Sequence, residues 1–470
     1  MRDLGRNAVD AAVGAGASYA DARGVFRRSQ SVSTKNGNVE SVSDVESEGI
    51  GVRVLVDGAW GFAGDRRLTD EGVRDAALRA CAFARAAGGS TRTLAPLEPV
   101  RGSFKTPVEI DPFSISLGEK VDFCLEAARA LARPEVKVAE AFARAQLERR
   151  VLVTSDGSDV EQEVVECGAG LDATAVADGV TQMRSYPSAL GGISAQGGWE
   201  YVLGLGLAHE APRVGEQAVA LLRAPECPAG ITDIVLDAEQ TTLQLHESVG
   251  HPTELDRVLG FEAAYAGTSF LKPTDCGSLR YGSEHMNVTA DPTTPGGLGT
   301  FAFDDEGVPA QPQPIVREGV LVGWLGSREV GFPGSMRADS WGRMPLVRMT
   351  NFHLEPGEGS LDELIAGVER GVYFETNKSW SIDDKRLNFQ FGTQMAWEIS
   401  GGKLGRMLRD ATYTGITPQF WGSLDAVAGR EEWKLHGLTN CGKGQPGQAA
   451  HVSHGTAPAR FRGVQVGVRA

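Results

Sequence analysis

The chain has 470 residues, 41% of them hydrophobic and 23% charged, which is ample apolar material for two or three folded domains and excludes a chain disordered throughout. Acidic residues outnumber basic ones by 61 to 46, a formal net charge of −15. That sign argues against a nucleic-acid partner, because phosphate affinity rests on clustered Lys and Arg. Glycine is abundant, 60 residues with no Gly-X-Y period, which points to many hairpins and tight turns rather than to a collagen-like chain.

In chain order, residues 1–14 suit a helix ending at Gly14 and Gly16. Ile50 to Val56 and Ala59 to Ala63 flank Asp57-Gly58, the signature of a type I′ hairpin. A helix is predicted from about Asp70 to Ala87, acidic in its first turn and stopped by Gly88-Gly89. After a proline-containing linker, Ser116 and Glu119 form a capping box that opens an Ala/Leu helix ending before Pro134. From Val136 to Leu190 the pattern is β, with strands at 151–154 and 160–165 around an Asp156-Gly157 turn. A helix near Arg213 to Arg223 precedes Pro225 and Pro228, and the domain boundary is placed there.

The second half opens with an apolar strand, Asp233 to Leu236, and Asp237 as the cap of a following helix, with Gln240 three residues on. Beyond residue 260 glycine and strand signals dominate, punctuated by Asp275-Cys276-Gly277, Glu306-Gly307 and Glu318-Gly319, with one helix over 361–369. The expected architecture is α+β. Residues 1–226 form an α/β domain with a mixed sheet and helices, and residues 227–470 a mostly antiparallel, β-rich domain.

Cysteines stand at 81, 124, 167, 227, 276 and 441, without a CxxC pair. That usage suits reduced, mostly buried thiols in a cytoplasmic protein. Asp3 and Asp10 interrupt what a secretory signal would need as an apolar core, and apolar runs such as Tyr201 to Ala208 fall far short of the ~18 residues of a membrane span. No membrane association is expected.

The segment with chemical content is Leu243-Gln-Leu-His246-Glu247-Ser-Val-Gly250-His251-Pro252. It is similar to the zincin signature His-Glu-x-x-His, in which two neutral imidazoles hold zinc and the adjacent Glu activates a bound water, but it carries one extra residue between the histidines. At ~100° per residue, positions i and i+5 lie ~140° apart on a straight α-helix and cannot share an ion. The helix must therefore widen into a π-type turn or break before His251, and Gly250 and Pro252 make that inexpensive. A chance pairing of two histidines is the bland alternative. A third ligand is also required. Glu254, Glu262, Cys276 and His285 follow nearby, and Cys441 lies in a downstream glycine-rich stretch beside Lys443, where backbone N–H groups and a cation would favour the thiolate. Two other matches are discounted. Gly437 to Lys443 imitates a P-loop but continues into Gly444 rather than a hydroxyl residue, and Gly168-Ala-Gly170 imitates a dinucleotide fingerprint without the long helix that should follow.

With His246 to Asp256 and Asn440-Cys441-Gly442-Lys443 in view, the chain resembles the TldD-type proteins of the TldD/PmbA (modulator of DNA gyrase) metalloprotease family. Gly49 to Ala63, Asp304 to Pro309 and Met344 to Asn351 carry the resemblance along the rest of the chain. It implies one zinc ion per chain held by His246, His251 and Cys441, with Glu247 as general base, cleaving unfolded or extended peptides inside a cavity enclosed by a dimer. The implied partner is a PmbA/TldE-type subunit or a second copy of the chain. One departure is visible: Leu255 stands between Glu254 and Asp256 where the family commonly has glycine. Glu254 and Asp256 are expected behind the histidines. The competing expectation is a non-catalytic, zinc-stabilised scaffold or peptide-binding subunit, for which Glu247 would be unnecessary.

Overall fold

The computed structural model describes residues 1–88, 91–265, 267–444 and 447–467. The architecture is α+β. The N-terminal half is built on one mixed sheet. Its order is 59–65, 38–56, 19–35, 136–154, 159–177 and 101–105, and strands 180–186 and 193–196 also pair with 159–177. Every pairing is antiparallel except that of 101–105 with 159–177. The hairpin at Asp57-Gly58 forms as expected, both residues having positive φ (48° and 75°).

Alternation of side chains decides what covers this sheet. Ala20, Ala22 and Val32 share one face of strand 19–35, and that face is covered by helices. Helices Arg2–Gly14 and Asp70–Ala87 pack on one part of it through Ala8, Ala12, Val73 and Ala80, and helices Leu117–Ala130 and Leu207–Leu221 on the other through Ala127, Leu207 and Val214. The opposite face carries Arg23 and Arg27 and, on neighbouring strands, Arg53 and Arg150. Three of these reach the C-terminal half as ion pairs: Arg23 to Asp305 at 3.4 Å, Arg53 to Glu306 at 3.2 Å and Arg150 to Asp305 at 2.5 Å. The acidic turn around Gly307 is thus an anchor between the two halves.

In the C-terminal half, strands 370–382, 230–236, 459–466, 412–416 and 388–400 follow one another in a sheet, and 388–400 also pairs with 370–382, so the sheet closes on itself. Phe374, Phe389, Phe391, Tyr413, Phe420 and Phe461 fill its core. A hairpin of Lys434–Lys443 and Gln448–Thr456 stands beside it. Helix Ala238–Leu245 leaves strand 230–236 and is buried on every side, which explains why its sequence carries no amphipathic stripe.

Several boundaries differ from expectation. Strands 136–154 and 159–177 run far beyond the predicted segments, because Ala and Gly on the covered face admit helices close to the sheet. Helix 207–221 begins before Pro212 rather than after it, a short helix 199–204 precedes it, and helix 361–366 ends early at Gly367. Gly88 ends its helix with φ of 55°, while Gly89 lies outside the described residues. The dinucleotide-like Gly168 and Gly170 sit mid-strand, where a Cβ on Gly168 would lie 1.9 Å from Ser194 Oγ. They are spacers for strand 193–196. Among the described residues no helix is long and apolar enough to cross a membrane.

Candidate metal centre

Asp237 caps the motif helix, accepting from Gln240 N at 2.6 Å. The helix is α over 238–245, π over His246–Gly250 and 3₁₀ over His251–Thr253. The departure from α geometry that the histidine spacing requires is therefore present. His251 N–H donates to His246 C=O, so the i, i+5 bond links the two histidines themselves, and their rings stand 4.8 Å apart at 85°. Gly250 serves this turn differently from expectation. Its φ is −58°, open to any residue, but a Cβ there would lie 2.1 Å from Met349 Sδ. It is small so that the helix can pack, not so that the backbone can bend.

Cys441 is brought to the same place by the hairpin 434–443/448–456, with its Sγ 3.7 Å from His251 Nε2. It lies on a strand beside a bulge after Leu438, rather than in the glycine loop that the sequence suggested. Ligand atoms of His246, His251 and Cys441 all lie within 4.8 Å of one another, and all three residues are buried. The edges of a tetrahedral zinc site with ~2.0–2.1 Å to nitrogen and ~2.3 Å to sulfur measure ~3.3–3.6 Å, so the Cys441–His251 separation is within ~0.1–0.4 Å of that and a 4.8 Å one must close by about 1.2–1.5 Å. None of the other candidate ligands joins this cluster. Glu262 accepts from Gly444 N at 2.9 Å, Cys276 packs half-buried against the core and His285 is exposed.

The donor set also has the right protonation. Burial holds both His246 and His251 below the usual histidine range, so both are neutral. His454 Nδ1 lies 3.0 Å from Phe352 C=O, an acceptor only, so that nitrogen carries the proton. Burial also keeps His454 neutral, which leaves its Nε2 bare to accept from His246 Nδ1 at 2.7 Å. This chain fixes the His246 tautomer with Nε2 unprotonated. Glu254 does the same for His251, accepting from Nδ1 at 3.0 Å. Burial opposes the Cys441 thiolate, but the contact with His251 and the Arg348 charge outweigh it and hold the thiol below its ordinary range.

Lys443 has a different part from the one expected of it. It stands 2.7 Å from Asp256 and 3.4 Å from Glu254, with a 2.7 Å bond to Val347 C=O, so it neutralises the carboxylates behind His251. Burial would push Glu254 up, but Lys443 and His251 keep it well below the carboxylate range. Leu255 is buried in the helical turn 255–258, and its N–H donates to Leu325 C=O at 2.8 Å. The position demands no glycine. Glu247 faces Arg386, whose Nη1 is 2.5 Å from Oε2. Sequence reasoning found neither His454, Arg386 nor Arg348. His454 was legible only through the hairpin register, and Arg386 sits in a turn with no motif around it.

Comparison with known proteins gives the family. Profiles for the PmbA/TldA metallopeptidase domain 1, central domain and C-terminal domain match residues 20–84, 110–224 and 229–468. A metalloprotease of Methanothermobacter thermautotrophicus is 31% identical over 461 residues, covering 96% of this chain and 95% of that one. A zinc metalloprotease TldD homolog of Saccharolobus solfataricus is 26% identical over 246 residues, 51% of this chain and 52% of that one. In fold, the chain is similar to TldE from Thermococcus kodakarensis, with a TM-score of 0.75 at 16% identity over 99% and 100% of the two chains. Matched by all three domains along nearly its whole length, the chain belongs to the PmbA/TldD family of metallopeptidases.

Proposed function

We propose that this chain is the zinc-bearing, catalytic subunit of a peptidase, with one ion held by His246, His251 and Cys441 and with Glu247 as general base. The observation that carries the reading is the π turn, which brings two neutral imidazoles edge to face beside a thiol held below its ordinary range, with a carboxylate next in sequence to the first. Three protein ligands leave a fourth position free, as catalytic zinc requires. When bound, the ion supplies a polarised water and a Lewis acid for the peptide carbonyl. The chain supplies the rest. Glu247 takes the proton of the attacking water and returns it to the leaving amine nitrogen. Glu254 and His454 hold the imidazoles in the ligand tautomer throughout.

The substrate class we propose is an unfolded or extended peptide, held by backbone hydrogen bonds that ignore side-chain identity. The partner is a PmbA/TldE-type subunit or a second copy of this chain, a pairing supported by the shared fold with a protein named TldE. A reducing cytoplasm is the setting that keeps a thiolate ligand intact.

Glu247→Gln tests the reading against the scaffold alternative. It preserves size and removes the base, so zinc content should stay at the wild-type level while cleavage of an unstructured peptide falls by ~10²–10⁴-fold. Undiminished turnover would remove Glu247 from the mechanism. A wild-type chain that holds zinc but cuts no peptide, alone or with a partner subunit, would establish the scaffold.

A further inference from the structure

A cavity of about 160 Å³ lies where the two halves of the chain meet. The N-terminal sheet lines it with Arg27, Glu148 and Glu166, on the face turned away from the helices. The C-terminal half lines it with Arg337, Arg348 and Ala449. None of His246, Glu247, His251 or Cys441 borders it, so it is distinct from the candidate metal centre.

Most polar groups around this cavity are already engaged. Arg27 and Arg150 each approach Glu148 at 2.5 Å, and His451 Nδ1 is 2.5 Å from Glu166. Asp339 accepts from Ala449 N at 3.2 Å, and Gln196 Nε2 donates to Thr300 C=O at 2.7 Å. Arg337 and Arg348 differ from Arg27 and Arg150, because among the described residues neither makes an ion pair with a carboxylate. Arg348 is buried and donates to the carbonyls of Gln448, at 3.2 Å, and Cys441. Arg337 is partly exposed and donates only to carbonyls, those of His451 at 2.8 Å, Met349 at 3.1 Å and Leu298 at 3.4 Å, so part of its five-donor fork is free. Burial, with the Arg150 and Arg348 charges, pushes its guanidinium down to about 10, and the Glu166 and Asp305 charges do not restore it. Two guanidiniums without a counter-charge beside one cavity are costly, and an anion within it would relieve both.

We propose that this cavity binds a small oxyanion, a phosphate or the carboxylate of a small molecule, held by Arg337 with the Arg348 charge adding to its attraction. The volume suits that class, since a cavity of ~150 Å³ takes a molecule the size of benzene. Because the lining comes from both halves, the bound anion ties them together, as the Arg53–Glu306 and Arg150–Asp305 pairs do. The site stands independently of the peptidase reading.

The test is calorimetric titration of the full chain, zinc-loaded and metal-stripped, with inorganic phosphate and in a parallel arm with acetate, ionic strength being held constant with sodium chloride. Wild type should show one saturable site in both metal states. Binding of phosphate alone or of acetate alone identifies which source of the oxyanion fits, and binding of both establishes the shared chemistry. Arg337→Gln removes the charge and should weaken binding by ~10–100-fold, the worth of a hydrogen bond to a charged group. Arg337→Lys keeps the charge without the fork and should recover part of the loss. Ala449 is an exposed lining position, and Ala449→Leu should obstruct the cavity with no change of charge, which keeps the proposal testable if Arg337→Gln does not fold. A cavity that holds only water would give no saturable response to either anion beyond that of chloride, and the proposal would fall. Binding that disappears when the metal is stripped would place the anion on the ion and overturn it as well. So would undiminished affinity in a folded Arg337→Gln chain or, where that chain does not fold, in Ala449→Leu.

Discussion

His454 is where the structure makes its sharpest claim about metal affinity, since it touches the proposed ion only through His246. It is fully buried, donates to Phe352 C=O at 3.0 Å and accepts from His246 Nδ1 at 2.7 Å. His454→Leu keeps the volume close and removes both functions. His246 Nδ1–H and Phe352 C=O then lie buried without a partner, each costing ~1–3 kcal/mol in the folded chain. The His246 ring also loses the bond that fixes its tautomer and raises its basicity, an effect of ~10–100-fold on metal affinity in other outer partners of ligating histidines. At ~1.4 kcal/mol per tenfold, that is about 1.4–2.8 kcal/mol of zinc binding. Competition with a chromophoric chelator on metal-stripped protein measures it directly. His454→Gln is the control, because a Gln amide can donate to Phe352 C=O and accept from His246 at once, and it should recover much of the loss. Zinc affinity in a folded His454→Leu chain within threefold of wild type would refute the reasoning. So would a Gln variant as weak as Leu.

Three further outcomes follow from named contacts. Cys441→Ser should lose zinc more completely than His454→Leu and abolish cleavage, whereas Cys81→Ser, at a fully buried helix position away from the cluster, should alter only thermal stability; metal analysis of both proteins separates them. Gly250→Ala should destabilise by ~1–3 kcal/mol through the collision with Met349, and Gly250→Ala/Met349→Ala should regain part of it in chemical denaturation; additive losses would sink the packing account. Glu239 is held by Ser188 Oγ and Ala189 N, both at 2.8 Å, and burial, with the neighbouring Asp237 charge, pushes its carboxyl up to about 8. Between its unfolded value of ~4.3 and that folded value the native chain keeps a proton that the unfolded chain has released, so stability falls as pH rises through this window. Glu239→Gln should therefore gain unfolding temperature relative to wild type on going from about pH 5 to about pH 8, and parallel curves would count against it.

Local signals were legible in the sequence wherever one segment decides its own structure. The Asp57-Gly58 hairpin, the Ser116–Glu119 capping box and the Asp237 cap each depend on backbone geometry and on residues within a few positions, and each formed as read. The His246–His251 spacing belongs to the same class, because the angle between side chains on one helix is set by counting; a π turn or a break reconciles that count with a shared ion, and the structure has the π turn. Helix ends near Pro212 and the great length of strands 136–154 and 159–177 were not legible, since sheet pairing and helix cover override local propensity there. What only the tertiary structure decided is which distant groups meet that helix. Cys441 and His454 arrive on one hairpin, Arg386 on the turn between two strands of the closed sheet, and Lys443 turns to Asp256 and Glu254 rather than to the neighbouring thiol. Those meetings depend on strand register and on burial, where an unpaired charge or donor is too costly to leave alone, and neither is written in the spacing of residues along the chain.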